Sequence, residues 1–252
     1  MNKFLKNKTD ITAWLEQYSI QNYELILDDK YGYAVDVSGD VNLFDKELNH
    51  IPVKFGAVGG YFSCSHNSLT SLEFCPLTIK GGFYCNRNNL INLEFCPTTI
   101  DGDFYCSHNK LSSLQFCPHT INGSFYVYDN KIISLDGCPT TVNGNFYCQN
   151  NKLTSLQFCP TTINGDVICN NNRITNLIYF PSYIDGDVYL GNNNLTKIDM
   201  DKNKFYNFSE LYPIHLEHKI TAERELLDDS ISGRLESSSK KILNHKINKL
   251  KI

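Results

Sequence analysis

Apolar and polar positions along residues 37–199 recur with a period of 21 residues and no slippage. An aliphatic side chain two before a glycine falls at Val37, Val58, Ile79, Ile100, Ile121, Val142, Ile163 and Ile184. The glycines keep step from Gly39 to Gly186. After each glycine the pattern alternates: in "GDFYCSHN", Phe104 and Cys106 fall on one face and Asp103, Tyr105 and Ser107 on the other, which predicts a short strand. An asparagine then recurs at Asn67, Asn88, Asn109, Asn130, Asn151, Asn172 and Asn193, with Lys46 in that place in the first copy. Proline closes the phrase at Pro76, Pro97, Pro118, Pro139, Pro160 and Pro181.

A unit this short cannot enclose a core, so the eight copies must stack and bury a shared one. Asparagine is suited to bond backbone groups from inside a bend, and stacked copies would form a ladder of such bonds. Leu111, Leu114 and Phe116 are expected to point inward on the return side, which Pro118 keeps extended. The ends leave the period. "TDITAWLEQYSIQNY" predicts an amphipathic helix capped at Asp10, with Ile11, Trp14, Leu15 and Tyr18 on its apolar side, and strands follow in "YELILDD" and "YAVDVSGDVNL". Three regions result: an N-terminal cap over 1–36, eight repeats over 37–199, and a helical cap with a basic tail over 200–252. The tail has five lysines and no acid from Lys240 onward, with Ile242, Leu243, Ile247 and Leu250 able to share a face.

The series Phe104, Cys106, Asn109, Leu111, Leu114 resembles the leucine-rich repeat pattern, in which apolar residues flank an asparagine at fixed offsets. Its 21-residue period is similar to the short-period bacterial class, and the "IxGxFYC…NxLxxL…CP" wording looks like repeat proteins of phage and some bacterial genomes. The resemblance implies an α/β leucine-rich-repeat solenoid, mostly β. It would have one parallel strand per repeat, an extended return side and short helical caps at both ends. Some bacterial effectors with similar repeats carry a ubiquitin ligase domain with a nucleophilic cysteine after them. The residues after 199 contain no cysteine, so that activity is not expected.

Composition narrows the picture. The 252 residues are 41% hydrophobic, enough for one continuous stacked core, and the formal charge of −4 gives no general attraction to nucleic acid. No apolar run approaches membrane-spanning length, and membrane association is not expected. Ten cysteines raise the question of metal or disulfides. Five share an inward strand position that Leu43, Val127 and Leu190 also fill, and five precede proline, where Phe180 substitutes. A slot that accepts Val, Leu or Phe is a packing slot, so these are read as buried free thiols of a cytoplasmic protein, in the host cytoplasm if it is viral. His215 and His218 lack a third ligand nearby, and the "DGD" runs offer too few oxygens for calcium. No catalytic residue, metal site or cofactor is expected.

The outward strand positions say more. Tyr84, Tyr105, Tyr126 and Tyr147 would form a stripe on successive strands, joined by Tyr128 and Tyr189 and bordered by Asp103, Asp166 and Asp187. Tyrosine offers a broad apolar ring with a polar tip, a residue type enriched where proteins meet. The expectation is a non-enzymatic module that binds a protein partner on this face. The alternative is a structural or carbohydrate-binding component, with the tyrosines as a stacking platform.

Overall fold

A computed structural model describes residues 4–195, so the expected C-terminal cap and basic tail lie outside the described residues. The architecture is a parallel β-solenoid with a layer every 21 residues. Each repeat contributes two short strands. One is of the type Phe104–Tyr105 and enters an eight-stranded sheet that runs from Val41–Asn42 to Val188–Tyr189. The other, of the type Thr99–Ile100, enters a nine-stranded sheet. Pairing is in register: Phe125 lies beside Phe104 and Phe146, and Ile121 beside Ile100 and Val142. The return side is therefore a second sheet and not merely extended chain, consistent with the β-branched Thr-Ile pairs that occupy it.

The core lies between the sheets. Phe62, Phe83, Phe104, Phe125 and Phe146 have no exposure, and Phe83, Phe104 and Phe125 stack at 5.4–5.5 Å with their planes 11–14° apart. Leu111, Leu114 and Ile121 close the layer from the other side. The bend carries the asparagine ladder. Asn109 Nδ2 donates to the carbonyls of Cys85, Cys106 and Ser107 at 3.0–3.2 Å, and its Oδ1 accepts the Leu90 N–H at 3.0 Å. The same set of bonds recurs at Asn88, Asn130, Asn151 and Asn172.

The return corner departs from expectation: Phe116 is 62% exposed and does not point inward. The Cys117 N–H bonds the Leu114 carbonyl at 3.0 Å, closing a tight turn whose third residue, Phe116, has φ +70°. That position favours glycine, and Gly137 (φ +85°) occupies it one repeat later.

At the N-terminal end the helix α1 spans Lys8–Gln17. Its cap is Asn7, whose side chain accepts the Asp10 N–H, so the cap lies three residues before the one expected at Asp10. Ile11 and Leu15 are fully buried, and Trp14 meets Phe55 of the core at 6.3 Å. The strands β1 (Tyr23–Asp28) and β2 (Gly32–Val37) form an antiparallel hairpin, and β2 starts the parallel stack by pairing with Lys54–Val58. Lys54 Nζ bonds the Asp28 carboxylate, which with the Tyr31 N–H holds that carboxyl below its ordinary range.

Candidate functional site

The outward side of the eight-stranded sheet is built by alternation: where Phe104 and Cys106 face the core, Tyr105 must face away. In-register pairing then places the four central tyrosines in contact. Ring centroids lie 5.2 Å apart for Tyr84–Tyr105, 3.8 Å for Tyr105–Tyr126 and 4.9 Å for Tyr126–Tyr147. The middle pair is nearly parallel at 17°. Tyr61, in the column of Asp103 and Asp166, extends the row by meeting Tyr84 edge-on at 6.0 Å.

The stripe is less open than expected. Tyr105 retains 3% exposure, Tyr147 2% and Tyr128 3%, while Tyr84, Tyr126 and Tyr189 are half-buried. Tyr128, Tyr147 and Ile168 form an apolar cluster separate from the main core, with Tyr126 and Tyr189 packed against it. Tyr128 also meets the His108 ring edge-on at 5.2 Å.

The three aspartates of the predicted site are half-buried at the leading edge of the same face. Asp103 Oδ1 accepts the Ser124 N–H at 2.8 Å, and Asp166 Oδ1 accepts the Asp187 N–H at 2.9 Å. Ser124 and Asn145 do the same for the next repeats, so the geometry needs a short oxygen acceptor and not a charge. Asp187 Oδ2 accepts from the Tyr189 hydroxyl at 3.4 Å. Near the start of the row, burial and then the Asp40 carboxylate push the Tyr61 phenol above its ordinary value.

The trailing edge carries a column that sequence reasoning did not single out. Lys110, Lys131, Lys152 and Arg173 occupy one position in four successive repeats, one residue after the ladder asparagine, and all are exposed. The signal was present in the same 21-residue alignment that gave the tyrosines.

The ten cysteines are thiols, eight of them buried. Cys148 and Cys169 Sγ lie 2.9 Å apart in neighbouring layers. Burial pushes the thiols of Cys85, Cys96, Cys106 and Cys117 upward, the direction opposite to that of a nucleophile. Among the described residues no group of three or more His, Cys, Asp or Glu side chains could hold a metal ion, and no helix is long and apolar enough to cross a membrane. A groove of about 510 Å³ lies elsewhere, against the hairpin, lined in part by Glu24, Asp36 and Lys80. No family model, curated protein or solved structure matches the chain.

Proposed function

We propose that this chain is a leucine-rich-repeat protein of the short-period class, a non-enzymatic module that binds a protein partner on the outward face of its eight-stranded sheet. The observation that carries the reading is the row of tyrosine contacts from Tyr84 to Tyr147, with the apolar cluster of Tyr128, Tyr147 and Ile168 beside it on the side of the sheet away from the core. Tyr84, Tyr126 and Tyr189 keep part of their rings exposed on that side, and broad rings with polar tips are the side chains that anchor protein interfaces. The buried thiols, of which burial pushes Cys85, Cys96, Cys106 and Cys117 upward and away from a nucleophile, support a reducing, cytoplasmic setting. A phage or bacterial factor acting on a host protein fits the repeat wording.

A second reading, a glycan platform, draws on a different observation. Among the described residues Asn86 Nδ2, Ser107 Oγ and Gln149 Oε1 have no hydrogen-bond partner and lie buried on this face, beside rings on which a sugar could stack. The test uses Tyr84→Ser with Tyr126→Ser, the two half-buried members of the row. Affinity capture and a glycan array identify the ligand, and titration calorimetry compares the variants, with circular dichroism to confirm folding. The substitution should weaken binding by roughly 2–4 kcal/mol, as the loss of interface anchors does. Gln115→Ala with His119→Ala on the return side should leave it intact. Full affinity in the tyrosine variant would remove the face from consideration, and glycan binding in place of a protein would select the second reading.

A further inference from the structure

The column Lys110, Lys131, Lys152, Arg173 is held in line by the backbone. The Lys110 N–H bonds the Leu90 carbonyl at 2.8 Å, Lys131 bonds Leu111 at 2.8 Å, Lys152 bonds Ile132 at 2.8 Å and Arg173 bonds Leu153 at 2.7 Å. Each bond ties one layer to the preceding one, so successive cations sit one strand spacing apart, ~4.8 Å, and the four span roughly 14 Å. Like charges directly opposite each other on neighbouring strands repel. Nothing in the fold asks for them: Ser68 and Asn89 hold the same column in the two preceding repeats and make the same bond to Leu48 and Leu69. Among the described residues none of the four cations forms an ion pair. The fold therefore sets four cations in line past the bend that ends the tyrosine strands, with Asp129, two residues before Lys131 and facing His108, the acid in the neighbouring column.

The opposite edge has the other sign. Asp103, Asp166 and Asp187 lie along it, with Asp101 and Asp185 exposed in the turns that precede them. Here too the charge exceeds the structural need, since Ser124 and Asn145 make the same bond. The face is thus polarised across its width, with an aromatic row between an acidic and a basic edge.

We infer that Lys110, Lys131, Lys152 and Arg173 form a docking rail for an extended acidic segment of the protein partner, running along the stack. An extended chain places every second side chain on one side, about 6.7 Å apart, so three carboxylates cover the length of the rail. Flexible lysine and arginine stems absorb the difference between that spacing and the strand spacing. Charge complementarity supplies orientation and association rate, and the acidic edge repels a reversed partner. That same edge disfavours nucleic acid, whose uniform negative charge would meet repulsion on one side of the face. The inference deepens the proposed partner-binding reading and rests on it for the identity of the face, but its chemistry can be tested without the tyrosines.

The experiment is a fluorescence-anisotropy titration of the full chain with a labelled alternating glutamate–serine decapeptide. A glutamine–serine peptide and a thymidine oligonucleotide of similar length serve as comparisons, at low and at physiological salt. The acidic peptide should bind in a salt-dependent way and the glutamine peptide should not. Lys131→Ser with Lys152→Ser, the residue that Ser68 already places in this column, should weaken binding at low salt by roughly tenfold and flatten its salt dependence. Lys241→Ser with Lys246→Ser, in the basic tail, should change nothing. Thermal melts establish that the rail variant is folded. Peptide affinity that follows the tail lysines, or that is equal in wild type and rail variant, overturns the inference, and so does an oligonucleotide bound as tightly as the peptide through the same residues. If the tyrosine variant loses the partner while the rail variant keeps both partner and peptide, the face stands and the rail falls. The reverse result leaves the rail and removes the tyrosine-centred reading.

Discussion

Asn109 does four things with one amide, three donations and one acceptance, and it is 8% exposed. Asn109→Ala should destabilise by about 1–3 kcal/mol in urea unfolding, because buried backbone groups lose their partner. Asn109→Asp should be worse at neutral pH, since a carboxylate would face three carbonyl oxygens. The folded protein would favour the protonated acid, raising the folded pKa above the unfolded one. Stability would therefore be retained below the ordinary carboxylate range and lost as pH rises from that range through the raised folded value. An aspartate variant as stable as wild type at pH 7 would show that the amide donors are not what the bend requires. The asparagine's role was legible in its spacing and its residue type. The side chain of Phe116 was not, because its direction depends on a turn whose third residue takes φ +70°, and an apolar residue among apolar neighbours gives no sign of that. The only clue was Gly137 in the same column.

Two elements show how stacking sets residue identity. The glycine column is needed for space: a Cβ on Gly102 would lie 2.7 Å from the backbone of Gly81 and Gly82, whereas one on Gly39 meets nothing within 4 Å. Gly102→Ala should thus cost about 1–3 kcal/mol by overpacking, while Gly39→Ala should change stability by less than about 0.5 kcal/mol. Thermal unfolding of the two variants decides it, and equal effects would mean that the layers can spread. The tyrosine row was visible as a periodic column, but its enclosure was not, since alternation predicts only that a ring points outward. Stacking between layers removes the surface that the pattern appeared to expose. A double-mutant cycle on Tyr105 and Tyr126, 3.8 Å apart, should return a coupling of about 0.5–1.5 kcal/mol. A coupling near zero would mean that the rings are neighbours by duplication only.

Thiols recur in most layers of the stack, and their titration adds up. Burial raises the thiol values of Cys75, Cys85, Cys96, Cys106, Cys117, Cys138, Cys148 and Cys159 in the folded protein. Their stabilising contribution is complete below the ordinary thiol value and falls as pH rises above it, by about 1.4 kcal/mol per thiol per pH unit, because only the unfolded chain ionises there. A steep loss of structure above about pH 8.5–9 should follow in circular dichroism. Cys106→Val with Cys148→Val, the residue Val127 already supplies, should soften it, and an alkaline limb of unchanged steepness would mean that these thiols ionise in place. The periodic fold was legible because eight copies average out local exceptions, whereas the second sheet was not, because a two-residue Thr-Ile strand is too short to show alternation. In-register pairing also makes the length of the stack come in whole units. Excising residues 103–123 joins Gly102 to Ser124 and restores the phrase, so every later layer finds an equivalent neighbour and the protein should fold one layer shorter, by ~4.8 Å. Excising 103–122 instead leaves Gly102 followed by Gly123 and advances every later residue by one place, so that the phenylalanines meet solvent and the tyrosines meet the core. The stretch of gene that encodes the repeats can change in length only in steps of sixty-three bases (three bases for each residue of the 21-residue period) without losing its reading of inside and outside.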